Sequence, residues 1–258
     1  MVDIHCHILP GLDDGPETLE TSLAMAEAAI ADGITHVVAT PHANDFFPFE
    51  PELIHKRHKE LQERLGDRLR LATGCDFHMS FENLQAVQRD PARFTINQKN
   101  YLLVEFADFA IPPTMDSALK EMRMKGLRPI ITHPERNPIL VQNRARLNAW
   151  VQEGCLAQVT AGSLLGRFGQ RAQRAAEAWI DEGAIHFVAS DAHNLASRPL
   201  QLRPAFEVLA KRRGEVIARA LFRENPLAAI EGTALPYQPE LAEPEEPEPP
   251  RRKRFLFF

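Results

Sequence analysis

Met1-Val2-Asp3-Ile4-His5-Cys6-His7 opens the chain as a short strand ending in two histidines one residue apart. Side chains alternate faces along a strand, so His5 and His7 point one way and Cys6 the other. Two imidazoles on one face are half of a metal site. An HxH pair alone is a weak signal. It gains force if later strands bring further nitrogen and carboxylate donors to the same rim.

Working outward, the next 230 or so residues alternate strand and helix patterns. Leu9 to Pro16 is a turn-rich loop, and a helix is expected from about Glu17 to Asp32 with Gly33 as its C-terminal cap. Ile34–Thr40 reads as a buried strand, Pro51–Leu65 as a charged amphipathic helix, and Leu69–Gly74 as a third strand running into Cys75-Asp76. A short helix near Phe81–Gln88 precedes the strand Tyr101–Phe106. Helices near Asp116–Lys125, Arg144–Glu153 and Gln170–Glu182 alternate with strands Pro129–Thr132, Leu156–Thr160 and Ile185–Ser190. Helices from about Leu200 to Arg223, and a short one opened by Asn225-Pro226, finish the pattern. Strand and helix repeated seven times imply a parallel α/β fold.

The polar residues at the strand ends bear on whether that sheet is open or closed. His5 and His7, His42, Asp76, Glu105, His133, and Asp191 with His193 all fall at or just past the C-terminal end of an expected strand. A barrel gathers those ends around one mouth, whereas an open sheet spreads them along a crevice. A closed or nearly closed barrel is the more economical reading. Eight nitrogen and carboxylate donors exceed the needs of one ion and suit two or three ions of Zn, Mn or Fe. Arg136 and Arg198 lie beside ligand segments, where guanidinium forks match phosphate oxygens. Metals with arginines point to a phosphate ester.

Other chemistries are excluded by spacing. A cysteine-dependent tyrosine phosphatase needs arginine six residues after its nucleophile; Cys6, Cys75 and Cys155 are followed there by Leu12, Phe81 and Ala161. No Asp-x-Asp stretch suits an aspartyl-phosphate enzyme. Direct attack by a metal-bound hydroxide, without a covalent intermediate, is therefore expected, with Asp13 or Asp14 near the mouth as helper. His36 and His186, at the N-terminal ends of strands, read as structural. His55 and His58 read as solvated, and His78 as a bystander near Asp76. Phe46, Phe47 and Phe49 read equally as loop packing or as a rim gripping a tyrosyl ring or partner chain.

Composition sets the outer bounds. The 258 residues are 44% hydrophobic and 25% charged with a net charge of −5, as for a soluble domain and against a generally basic nucleic-acid binder. No apolar run approaches ~20 residues, and polar residues occupy the place of a signal-peptide core. Three widely spaced cysteines suggest reduced thiols in a cytoplasm. One domain over residues 1–236 is expected. Residues 237–258 read as a disordered Pro/Glu-rich tail ending in the basic-aromatic segment Arg251–Phe258, a candidate for weak peripheral membrane contact.

The segments Asp3–Pro10, Asp13–Pro16, Leu103–Phe106, Ile131–Arg136 and Ala189–Asn194 resemble the PHP (polymerase and histidinol phosphatase) superfamily. Within it they are most similar to bacterial protein-tyrosine phosphatases of capsule and exopolysaccharide operons. The resemblance covers about residues 1–231. It implies a distorted (β/α)7 TIM-like barrel, up to three metals, often manganese, and hydrolysis of phosphotyrosine on a membrane-associated tyrosine kinase by what is expected to be a monomer. It places the family's metal ligands on His5, His7, His42, Asp76, Glu105, His133, Asp191 and His193, and its phosphate-binding arginines on Arg136 and Arg198, with Asp14 as a catalytic helper. Asp76 departs from the glutamate usual there by one methylene. Two rival functions stand beside this one: phosphatase of a small metabolite such as histidinol phosphate, and a catalytically silent metal-binding regulatory subunit.

Overall fold

The computed structural model describes residues 1–242. Its elements in order are β1 (Val2–Cys6), α1 (Leu19–Asp32), β2 (His36–Ala39), β3 (His42–Ala43), α2 (Pro51–Leu65), β4 (Arg70–Thr73), β5 (Asp76–His78), α3 (Phe81–Arg89) and β6 (Tyr101–Glu105). There follow α4 (Thr114–Met124), β7 (Arg128–Thr132), α5 (Pro138–Gln142), α6 (Arg144–Gln152), β8 (Leu156–Thr160), α7 (Ala161–Leu164), α8 (Gly169–Asp181) and β9 (Phe187–Ala189). The chain closes with α9 (Arg203–Arg213), α10 (Glu215–Arg219), a π turn over Ala220–Glu224, and α11 (Asn225–Glu231). The fold is mixed α/β with every strand pair parallel, in two sheets ordered β1-β2-β4 and β3-β5-β6-β7-β8-β9.

Two of the expected strands are each followed, past a break, by a short second strand that was not expected. Pro41 brings no N–H to the ladder, so the second segment divides into β2 and β3. The third divides at Gly74-Cys75 into β4 and β5. Backbone bonds carry across both breaks: Gly74 N–H donates to Ala39 O at 2.9 Å and Asp76 N–H to Pro41 O at 3.1 Å. On the far side, a parallel bridge pairs Cys6 with Ala192, flanked by Asp191 N–H on His5 O at 2.8 Å and His7 N–H on Ala192 O at 2.9 Å. The two sheets thus touch at both edges.

Alternation along β6 splits the core. Leu102 and Val104 join the large cluster under the helices; Tyr101 and Leu103 face a second cluster with Ile4, Val38, Ile130 and Phe187. α11 closes the N-terminal end of that second cluster with Ala228, Ala229 and Ile230. Glu105 continues the same face one step beyond Leu103, at the opposite, C-terminal end.

The helices follow their local signals. Thr18 caps α1 by accepting from Thr21 N–H, and Gly33 ends it at φ 85°. The helices expected over Leu200–Arg223 are α9, α10 and a π turn, with Gly214 at φ 90° separating α9 from α10. Short α5 and α7 are additional. Residues 237–242 lie against the body: Tyr237 N–H donates to Asn225 Oδ1 and Ala242 N–H to Glu182 O. The expected basic-aromatic segment Arg251–Phe258 lies outside the described residues. Among the described residues, no helix is long and apolar enough to cross a membrane.

Candidate metal centre

The expected donors meet at the C-terminal ends of the strands, and a bulge in β1 aims the first of them. Asp3 pairs with Val37 and Cys6 with Ala39, so three steps of β1 run against two of β2. The extra residue turns His5 to the same side as Ile4, toward the second cluster. Fully buried Asp3 pins this irregularity: its Oδ1 accepts from His5 N–H at 3.2 Å and Ser190 N–H at 3.1 Å. Burial raises its pKa to about 6. His133 and Asp191 sit at φ 32° and 52°, the left-handed region that side chains adopt at a cost. His133 directly follows β7 and Asp191 comes two residues after β9, where the chain must turn sharply into the site.

Distances then group the side chains. Asp191 Oδ1 lies 3.4 Å from His5 Nε2 and 3.5 Å from His7 Nε2. Asp76 Oδ2 lies 3.6 Å from His5 Nε2 and 3.1 Å from His42 Nδ1. Glu105 faces His133 Nε2 at 3.5 Å and His42 Nδ1 at 3.8 Å. Asp14 Oδ1 stands 3.4 Å from His42 Nε2 and 3.2 Å from His193 Nε2. These atoms fall into overlapping sets, within 4.8 Å of one another: His7, Asp14, His42 and His193; His5, His7 and Asp76; His5, His133 and Asp191; His42, Asp76 and Glu105.

The polar accounting favours cations here. His5 Nε2, His7 Nε2, His193 Nε2, His42 Nδ1 and both oxygens of Asp76 are buried without a hydrogen-bond partner. Buried polar atoms are ordinarily paired, and so dense a group of exceptions fits a set of ligands. The tautomers agree. His7 Nδ1 donates to Asp13 Oδ2 at 2.7 Å, His193 Nδ1 to Asp191 O at 3.0 Å, and His5 Nδ1 to Gln158 Oε1 at 2.9 Å. Each leaves the Nε2 lone pair facing the site, the arrangement of metal-binding histidines. Asp13 also accepts from His42 N–H and Gly15 N–H, tying the first loop to β3. Gly15 is required there: a Cβ would stand 2.4 Å from His7 O.

With protons as the only cations, the charges pull hard. Burial opposes charge on His5, yet Asp191 and Asp76 overcome it and raise its pKa to about 9. Burial likewise opposes charge on His42, and Asp14 and Asp76 lift it to about 11. Asp14 is held well below the carboxylate range by His193 and His42. Burial resists ionisation of Asp191, but His5, His7, Arg136 and Arg198 keep it an anion. His133 is pushed well down by burial and by Arg136.

The two arginines converge on one carboxylate. Arg136 and Arg198 both donate to Asp191 Oδ2. Asn194 Oδ1 accepts from the N–H groups of Ala196, Ser197 and Arg198, a tight turn that presents Arg198. Arg136 lies over the Phe168 ring at 4.5 Å. Its neighbour Glu135 is buried, accepting from Thr160 N–H and Ser163 Oγ–H, and so fixes the turn after β7.

All eight expected ligands and both arginines are thus brought together. Asp14, read as a helper, sits among ligand atoms. Sequence reading passed over Asp3, Gln158 and Glu135; their signal is a polar residue inside or directly after an apolar strand. His78 is closer than read: its Nδ1 is 3.7 Å from Glu105, which raises its pKa despite burial. His58, read as solvated, instead bonds Leu71 O at 3.2 Å. His36 and His186 hold no place in the site. The aromatic group divides: Phe49 packs on Phe94, Phe47 stacks over His42 at 5.9 Å, and Phe46 is exposed.

Known proteins resemble this chain in sequence and fold. YwqE of Bacillus subtilis strain 168, a tyrosine-protein phosphatase, is 34% identical over the full length of both chains. CapC of Staphylococcus aureus, a putative tyrosine-protein phosphatase, is 35% identical over 80% of this chain and 82% of its own. A chain from the crystal structures of YwqE and of CpsB from Streptococcus pneumoniae, described as unique metal-dependent tyrosine phosphatases, superposes with a TM-score of 0.86. That match is 33% identical and covers 95% of this chain and all of the other. Residues 1–231 match the family model for capsular polysaccharide synthesis, CpsB/CapC, and the chain belongs to that family.

Proposed function

We infer that this chain is a metal-dependent protein-tyrosine phosphatase of capsule or exopolysaccharide synthesis. The observation that carries the reading is the cluster of buried, unpartnered nitrogen and carboxylate atoms beside two arginines. The overlapping sets His7, Asp14, His42 and His193; His5, His7 and Asp76; His5, His133 and Asp191; and His42, Asp76 and Glu105 would hold two or three ions between them. Nitrogen and oxygen donors without thiolate suit Mn, Fe or Zn, and the superfamily resemblance favours manganese. Such ions supply Lewis acidity that activates a water and offsets phosphate charge.

The chain's own residues do the rest. Arg136 and Arg198 spend one nitrogen each on Asp191 and keep the others for phosphate oxygens; Arg198 Nε is buried and unpaired, ready for such a partner. Their charge is fixed in place before substrate arrives, so it stabilises developing negative charge without reorganisation. A phenol leaving group, with pKa about 10, needs little protonation. Direct displacement is the step we propose; it is supported against a cysteinyl-phosphate route by the burial of Cys6, Cys75 and Cys155, which pushes their thiols up.

The bonds joining the two sheets at both edges support one distorted (β/α)7 barrel, with residues 1–236 as its domain. The substrate we propose is a phosphotyrosine segment of a tyrosine kinase, met in the cytoplasm, where the three unpaired thiols are stable. The test is turnover of a phosphotyrosyl peptide and of histidinol phosphate, with metal analysis, before and after chelation. Peptide turnover that disappears with the ions and returns with manganese is expected. Undiminished turnover by ion-free protein, or preference for histidinol phosphate, would sink the reading.

A further inference from the structure

Twelve phenylalanines lie among the described residues, and three are exposed: Phe46 at 87%, Phe81 at 70% and Phe109 at 89%. All three stand just beyond a strand that carries a site residue. Phe46 follows His42 of β3, Phe81 follows Asp76 of β5, and Phe109 follows Glu105 of β6. β3, β5 and β6 are neighbours in one sheet, so the three loops adjoin on the side of the metal centre. Leu195, 51% exposed, stands two residues past His193. The other nine phenylalanines are buried or partly buried. Exposed phenyl rings gain nothing in water, and their confinement to one side of the mouth marks a contact surface.

The backbone beneath them is tied down. Asn44 Oδ1 accepts from Phe46 N–H and Phe47 N–H. The Asn83 amide donates to Ala43 O at 2.7 Å and His78 O at 2.9 Å, joining the loops of Phe46 and Phe81. The Asn137 amide donates to Ala107 O at 3.2 Å, holding the Phe109 loop against the turn that carries Arg136. The rings are therefore presented on a fixed frame, which lowers the ordering cost of binding.

Each ring has an exposed carboxylate beside it in sequence: Asp45-Phe46, Phe81-Glu82 and Asp108-Phe109. None of these three is in a salt bridge with a described residue. Alternating phenyl and carboxylate groups complement a segment with apolar and basic side chains and repel an anionic lipid surface. We propose that Phe46, Phe81 and Phe109 with their carboxylates form a docking rim for the polypeptide that carries phosphotyrosine, gripping apolar and basic residues on either side of it. The inference rests on the phosphatase reading and adds the surface that separates a polypeptide substrate from a small phosphate ester.

The test compares the parent with F46S/F81S/F109S and with D45N/E82Q/D108N. Substrates are free phosphotyrosine, a phosphotyrosyl peptide flanked by Leu and Lys, and one flanked by Ser and Glu. The parent prefers the Leu/Lys peptide by about tenfold or more in kcat/KM. The serine variant loses about tenfold on that peptide through KM and keeps its rate on free phosphotyrosine. The amide variant loses the preference for Lys over Glu and the salt dependence that accompanies it. Equal losses on free phosphotyrosine and peptide, or no loss on either, would overturn the rim. So would co-sedimentation of the parent with phosphatidylserine vesicles that the serine variant abolishes. Should the parent leave free phosphotyrosine intact, the phosphatase reading fails; fluorescence anisotropy of the same labelled peptides on parent and variants then decides the rim alone.

Discussion

His186 gives a stability test that is independent of the metal centre. It lies directly before β9, 4% exposed, with Nδ1 accepting from Ala157 N–H at 3.3 Å. Burial lowers its pKa from 6.5 to about 4. The folded protein therefore resists protonation that the unfolded chain accepts. Between pH 6.5 and 4 the unfolded state binds more protons, so stability is full above the unfolded value and falls as pH drops toward 4. The complete gap corresponds to roughly 3.4 kcal/mol, and the part crossed between pH 7 and pH 5 to roughly 2 kcal/mol. His186→Gln keeps an acceptor for Ala157 N–H and cannot titrate. Urea unfolding of parent and variant at pH 7 and pH 5 isolates the effect, because loss of ions at low pH is common to both. The parent should lose about 2 kcal/mol more than the variant over that interval. Parallel losses would refute the assignment of a buried, neutral imidazole.

The metal centre and the arginines make further predictions. Arg198→Ala should cost about 10²–10³ in kcat/KM on a phosphotyrosyl peptide while bound metal, measured by elemental analysis, stays near the parent level. Asp76→Asn removes the buried carboxylate that faces His5 Nε2 at 3.6 Å and His42 Nδ1 at 3.1 Å, so ion-free variant should be less stable than ion-free parent in urea and should gain little on adding manganese. Gln158→Leu strips the partner from His5 Nδ1 and should weaken metal affinity by about 10–100-fold, read by competition with a chelating dye. Chelation of the parent should lower Tm by roughly 5–10 °C, the shift set by about 2.7 kcal/mol of lost binding at a hundredfold excess over Kd.

Much of the site was legible because strand ends concentrate chemistry. Glu105 closes the apolar run Tyr101–Val104, and Asp191 follows Phe187–Ala189; a charge there is costly without a cation, so its placement is itself a signal. Period-two alternation correctly set His5 and His7 against Cys6, which packs in the helix-side core. The bulge that turns the pair toward the site was not legible, because register against β2 is a long-range property; only buried Asp3, pinning both His5 and Ser190, hints at it. The short strands β3 and β5 were not visible, because Pro41 and Gly74 each read as an ordinary strand end. That Asp14 reaches His42 and His193 was not legible, because loop residues carry no periodicity to fix where they point. The aromatic loop could not be divided from sequence, since Phe46 and Phe49 differ only in whether Phe94, distant in the chain, lies beneath them.

Asp191 shows how the two halves of the chemistry are joined. One oxygen faces His5 and His7, and the other takes both Arg136 and Arg198. An aspartate tolerates φ 52° better than most side chains, and only a carboxylate offers two acceptors at that short reach. The position of the two arginines is therefore set by the same group that faces the histidines. A shift of Asp191 moves both, which on the proposed reading would tie the orientation of a phosphate to the place of the ions. Separate anchors would let each drift, and an ångström of drift is enough to cost about a hundredfold in rate. The strained turn after β9 is the structural expense of that coupling, held in place by His5 O, Asp3 and the Cys6–Ala192 bridge.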